Sequence, residues 1–142
     1  MTDLEGTHIF NFGSHKTIRY MIRPGAKFFW HTCKEMFDSG ILDQFYLNTC
    51  VPEDFARHVM EKEFDQYDIG YRGWRRKKTQ GYEKFKGHKL IHLEDGATQG
   101  EINDIKKLNF LYLPVSTYKQ PCSHDEDLVW AVQEMKKYWF NS

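Results

Sequence analysis

Histidine and lysine supply the side chains in this chain best suited to chemistry. His88 and His92 stand four apart, so they share a face whether the segment is helix or strand. Glu94 falls on the strand face of His92. Imidazoles titrate near neutral pH, and two of them beside a phosphodiester can act as general acid and base. His15 is the third candidate, in the turn Gly13-Ser14-His15-Lys16. That turn offers amides, a hydroxyl and cations to an anion but lacks the Walker pattern. His88, His92 and Glu94 also have the atoms for a metal, yet HxxxH without the HExxH context is a weak motif. His31-x-Cys33 and Cys122-x-His124 lack the two-residue gap usual in zinc sites. Cys33 sits on an apolar helical stripe, where a buried thiol is the ordinary outcome. No metal site and no cofactor is assigned.

The densest signal is residues 71–89, YRGWRRKKTQGYEKFKGHK. The segment holds eight of the twenty Lys and Arg residues and one acid, Glu83, so it carries +7 while the remainder sums to −7. Phosphates need cations and unstacked bases need flat partners, and this segment interleaves the two. With Thr79-Gln80-Gly81 as a turn, residues 74–78 and 82–86 become the arms of a hairpin. Trp74, Arg76 and Lys78 then point one way, Arg75 and Lys77 the other, and Tyr82, Lys84 and Lys86 share a face. The expected ligand-binding set is Arg72, Trp74, Arg75, Arg76, Lys78, Tyr82, Lys84 and Lys86. The plainer alternative is a hairpin whose lysines keep an edge strand soluble. RNP-type and zinc-finger signatures are absent, so base-specific readout is not expected.

Length and composition bound these readings. A chain of 142 residues is expected to form a single compact domain over 1–142. Its 40% apolar and 16% aromatic content fits a folded chain. Zero net charge leaves only local asymmetry to steer a charged partner. Three widely spaced cysteines argue for free thiols in a reducing compartment. The N-terminal residues lack the pattern of a signal peptide, and no apolar run approaches a membrane span. The expectation is therefore a small soluble cytoplasmic protein with no membrane partner.

The elements that must position these residues follow from periodicity. Residues 7–23 read as a hairpin, with Ile18, Tyr20 and Ile22 on one face and Thr17, Arg19, Met21 and Arg23 on the other. Phe29, Cys33, Met36 and Phe37 make a helical stripe over 26–38. Pro52, Glu53 and Asp54 open a second helix, expected to stop at Gly70. Leu90, Ile91 and Leu93 make a strand. Thr98 and Glu101 match a capping box ahead of a third helix, and Ser123 and Glu126 match another ahead of a fourth, over 125–139. Residues 110–117 read as an edge strand, because Pro114 removes a ladder donor. Hairpins outnumber βαβ units in this reading. The class expected is α+β, with a mainly antiparallel sheet built from hairpins and about four helices packed on one face.

Three functions fit these residues. The leading one is binding of a phosphate-bearing ligand, nucleic acid or nucleotide, through the basic aromatic hairpin. The second is an accessory or inhibitor protein of the virus-encoded kind that docks on a host protein, since interfaces also favour aromatic residues and Arg. The third is a small phosphodiesterase or nuclease using His15, His88 and His92.

Overall fold

A computed structural model of the protein describes residues 1–11, 19–73, 77–119 and 124–140. Gly13, Ser14, His15, Trp74, Arg75, Arg76, Cys122 and Ser123 lie outside the described residues. The first strands are β1 (Ile9–Asn11) and β2 (Tyr20–Ile22), which pair antiparallel with Ile9 opposite Ile22. Helix α1 spans Ala26–Asp38, entered through Gly25 at φ 86°. Phe29, Trp30, Cys33 and Met36 are its buried stripe. Then come β3 (Tyr46–Asn48), α2 (Glu53–Phe64) and β4 (Gly70–Arg72). Helix α2 ends at Asp65, in the left-handed region at φ 54°, rather than at Gly70. Gly70 instead begins β4, where a Cβ would overlap the Tyr46 ring of the neighbouring strand. A 3-10 turn covers Tyr82–Phe85. The chain closes with β5 (Ile91–Glu94), α3 (Gln99–Lys107), β6 (Leu111–Pro114) and α4 (Asp127–Phe140).

The mainly antiparallel sheet of hairpins is not what forms. The fold is α+β with four helices, but β3–β4 and β5–β6 are both parallel pairs. The cause lies in the connections. α2 separates β3 from β4 and α3 separates β5 from β6, and a helical crossover returns the chain in the same direction. The segment expected as a hairpin arm over 82–86 is the 3-10 turn instead, entered through Gly81 at φ 80°.

Residues 1–3 tie the two parallel pairs together. The Thr2 amide donates to the Tyr46 carbonyl at 3.1 Å, and the Asn48 amide donates to the Thr2 carbonyl at 2.8 Å. On the other side the Leu93 amide donates to the Met1 carbonyl at 2.9 Å. Thr2 thus bridges Leu47 and Leu93, both in parallel sense. The strand order runs β4, β3, residues 1–3, β5, β6. The carboxyl ends of these segments, at Asp3, Asn48, Arg72 and Glu94, therefore lie along one edge.

The helices do not bury against a single face. Leu128, Ala131, Val132 and Met135 of α4 join the α1 stripe and Val59, Met60 and Phe64 of α2 in the main core. Ile105 of α3 enters a smaller cluster with Tyr82, Leu90 and Phe110. The Thr98/Glu101 capping box of α3 is present in full. Among the described residues, no helix is long and apolar enough to cross a membrane.

Candidate functional site

The basic stretch divides between two environments. Its middle, around Lys78, is built into the carboxyl edge of the strands. Its end, residues 84–89, flanks a cavity at the edge where β3 and β5 begin.

Lys78 is only 8% exposed and gathers five chain segments. Its ammonium meets Asp3 Oδ2 at 2.8 Å and also pairs with Glu94. Its carbonyl accepts from Asn48 Nδ2 at 2.9 Å and Arg72 Nη1 at 2.8 Å. Its amide donates to Glu101 Oε2 at 2.6 Å. Asp3, Asn48, Arg72 and Glu94 come from the ends of neighbouring extended segments, and Glu101 from the first turn of α3. Burial works to lower the Lys78 pKa, but the two carboxylates outweigh it and raise the value. Asp3, Glu94 and Asp95 bring one oxygen each within 4.8 Å of one another, and the ammonium meets two of the three.

Glu94 extends the network to His92 and Tyr82. Both rings are 1% exposed. His92 Nε2 lies 2.8 Å from Glu94 Oε1, and His92 Nδ1 lies 2.7 Å from the Tyr82 hydroxyl. A carboxylate only accepts, so the imidazole proton belongs on Nε2 and Nδ1 accepts from the Tyr82 O–H. Asn48 Nδ2 in turn donates to the Tyr82 oxygen at 2.9 Å. Burial lowers the His92 pKa and keeps the ring neutral. Burial alone would raise the Glu94 pKa, but bonds from His92 and Lys78 bring it below the usual carboxylate value. His92 and Tyr82 are thus paired at each polar side-chain atom, as burial demands, whereas Asn48 Oδ1 has no partner among the described residues.

The expected site residues are therefore distributed as follows. Arg72, Lys78 and Tyr82 come together, but inward, with the Arg72 guanidinium 5.0 Å from the Tyr82 ring centre. Lys84 and Lys86 are exposed. Trp74, Arg75, Arg76 and His15 fall outside the described residues. His88 is exposed whereas His92 is buried, with both ring nitrogens engaged. His31 is exposed beside Glu35 at 2.9 Å, whereas Cys33 is buried with its thiol pushed up to about 12 by burial.

The cavity measures about 710 Å³. Helix α1 contributes Phe29, Trp30 and Cys33, α4 contributes Met135 and Trp139, and the strand openings contribute Phe45, Tyr46 and Ile91. The end of the basic stretch supplies Lys84, Phe85, Gly87, His88 and Lys89. The Lys84 ammonium lies 5.1 Å from the Phe85 ring centre. The Lys89 ammonium lies 5.9 Å from the Trp139 ring and donates to the Tyr138 carbonyl at 3.2 Å. Apolar walls with a few cations at the margin and enough volume for a drug-sized molecule are the ordinary anatomy of a small-molecule site.

Sequence reasoning singled out Lys84 and His88 but not the apolar part of this wall. The available signal was Trp30: it follows Phe29 directly and precedes Cys33 by three, which widens the apolar face of α1 beyond a simple stripe. Nothing local in the sequence says that α1, α4 and residues 84–89 meet. Comparison with protein-family models, curated proteins and solved structures finds no match to this chain.

Proposed function

We propose that the protein binds a small phosphate-bearing ligand, with a nucleotide as the natural class, in the cavity between α1, α4 and residues 84–89. The observation that carries this reading is that the end of the basic stretch lines a cavity of about 710 Å³ with aromatic walls. The aromatic residues offer area for a planar ring, and Lys84, His88 and Lys89 offer donors to a phosphate at the margin. The recognition element moves from a displayed hairpin to the last third of the same stretch. Lys78 and Tyr82, committed to the buried network, act behind it as support.

Thermal unfolding with adenosine and uridine 5′-monophosphates, and with the parent nucleosides, tests this. A ligand present at a hundred times its Kd adds about 2.7 kcal/mol to the unfolding free energy. The monophosphates should stabilise more than the nucleosides, and that advantage should shrink as salt rises. Lys84→Ala combined with Lys89→Ala should remove most of it. Equal binding of nucleoside and monophosphate, or an undiminished advantage in the double variant, would sink the reading.

A further inference from the structure

The cavity is lined by opposite charges that do not neutralise one another. One loop, residues 41–45, leads into β3 and brings Asp43 and Gln44 to the lining. The other, residues 84–89, leads towards β5 and brings Lys84, His88 and Lys89. All five side chains belong to exposed residues. Asp43 is the one carboxylate of the lining. β3 and β5 lie on either side of residues 1–3, so their starts stand about two strand spacings, roughly 10 Å, apart. Tyr46 and Phe85 reach across that interval, with ring centres 6.4 Å apart, and both line the cavity. An aromatic contact therefore holds the acidic loop near the basic one. Yet among the described residues Asp43 has neither an ion pair nor a hydrogen bond, and Lys84, His88 and Lys89 have no ion pair. An exposed carboxylate by itself is only solvated surface. A carboxylate and three cationic or donor groups that face one cavity from separate loops, and stay unjoined, mark the two ends of a ligand.

We infer that Asp43, with Gln44 beside it, accepts hydrogen bonds from the vicinal hydroxyls of a ribose whose 5′-phosphate faces Lys84, His88 and Lys89. This rests on the proposed nucleotide cavity and names what that cavity selects, a ribonucleotide over its deoxy counterpart. A carboxylate only accepts, through two oxygens set side by side, and a vicinal diol presents two O–H donors to them. Gln44 adds a carboxamide that can accept or donate at the same loop. A phosphate placed against Asp43 would be repelled, so the acidic loop also fixes which end of the ligand meets which wall. The base is left to the aromatic wall.

Calorimetric titration with two matched pairs of probes separates the claims. Adenosine 5′-monophosphate and its 2′,3′-dideoxy form differ only in the diol; adenosine and 2′,3′-dideoxyadenosine repeat the comparison without the phosphate. Hydrogen bonds to a charged acceptor correspond to about a tenfold or larger change in Kd. The ribose member of each pair should therefore bind wild-type protein about tenfold tighter. Asp43→Ala should close most of that gap by weakening the ribose members alone, whereas loss of a merely structural residue would weaken all four probes. Asp43→Asn, which keeps one acceptor oxygen, should retain part of the gap. Asp43 is exposed and unpaired among the described residues, so both variants should fold. Lys84→Ala combined with Lys89→Ala should weaken both monophosphates and leave the gap within each pair in place. If the monophosphates bind no tighter than the nucleosides, but adenosine outbinds dideoxyadenosine through Asp43, the phosphate reading fails and the diol site stands. If the monophosphates outbind the nucleosides, but ribose and dideoxy forms bind equally, the diol inference fails and the phosphate reading stands. A gap that survives undiminished in Asp43→Ala, or no binding by any of the four probes, would also overturn the inference.

Discussion

His8 and His92 are the residues whose burial reaches furthest into solution behaviour. The His8 ring is buried with centroids 5.0 Å from both Phe29 and Trp30, and its Nε2 lies 2.8 Å from Thr2 Oγ1. Burial, and then the nearby Arg23 charge, lower its pKa to about 3. His92 is lowered in the same direction by burial. An unfolded histidine titrates near 6.5, so below that pH the unfolded chain binds protons that the folded protein refuses. The contribution is therefore complete above pH 6.5 and is lost as pH falls towards the folded values. A histidine held at about 3, as His8 is, costs roughly 2 kcal/mol between pH 7 and pH 5. His92 adds to the fall in the same direction. Glu94, held low by His92 and Lys78, adds a further loss only as pH drops below its unfolded value of 4.5. Urea unfolding at pH 7 and pH 5 should show wild-type stability falling by at least about 2 kcal/mol. His8→Phe should remove about 2 kcal/mol of that fall, whatever it does to stability at pH 7. A variant with the full wild-type pH dependence would mean that His8 titrates normally in the folded protein.

At the scale of elements, Arg23 does what strand alternation could not reveal. Alternation put it on the outward face of a half-buried strand, yet its side chain is fully buried. Its guanidinium meets Asp125 at 2.9 Å, Asp127 at 3.0 Å and Ser116 Oγ at 3.0 Å, and reaches the carbonyls of Gly6 and Thr7 at 3.3 Å. It thus pins the start of α4 to the loops following residues 1–3 and β6. Arg23→Met should cost about 3–5 kcal/mol, because it strands Asp125 without its cation. A loss under 1 kcal/mol in urea unfolding would show that the pair breaks even against an apolar replacement. The helices were legible because their signals are local: the α1 stripe, the acidic first turn of α2 and the Thr98/Glu101 box each act within one or two turns. Strand direction was not. The parallel pairs are three or four residues long, and Tyr46-Leu47-Asn48 is too short to display the continuous apolar run of a buried parallel strand. Tyr82 was misread for a related reason. Period-two alternation sent it outward with Lys84, whereas Asn48 and His92, far off in sequence, supply the partners that draw it in.

Across the whole molecule, the +7 of residues 71–89 is only partly displayed. Lys78 is neutralised within the fold by Asp3 and Glu94, and Lys77 meets Asp104 at 2.6 Å. Among the described cations of the stretch, Lys84 and Lys89 remain at the cavity, so part of the molecule's charge asymmetry is focused there. This makes packing and binding separable by one substitution. Cys33 lines the cavity from α1 and is 3% exposed. In a close-packed core, enlarging such a residue costs about 1–3 kcal/mol through forced rotamers and backbone shifts. Here the added atoms of Cys33→Met can enter the cavity, where they gain apolar contacts and displace no side chain. The expected outcome is an unfolding free energy within about 1 kcal/mol of wild type, together with loss of most of the stabilisation by adenosine 5′-monophosphate. Binding that survived intact would place the ligand elsewhere on the molecule. A stability loss of several kcal/mol would mean that the α1 wall is packed too tightly to admit a ring. Lys86→Ala is the matching control, since Lys86 is exposed in the same stretch but does not line the cavity; it should leave both quantities within error of wild type.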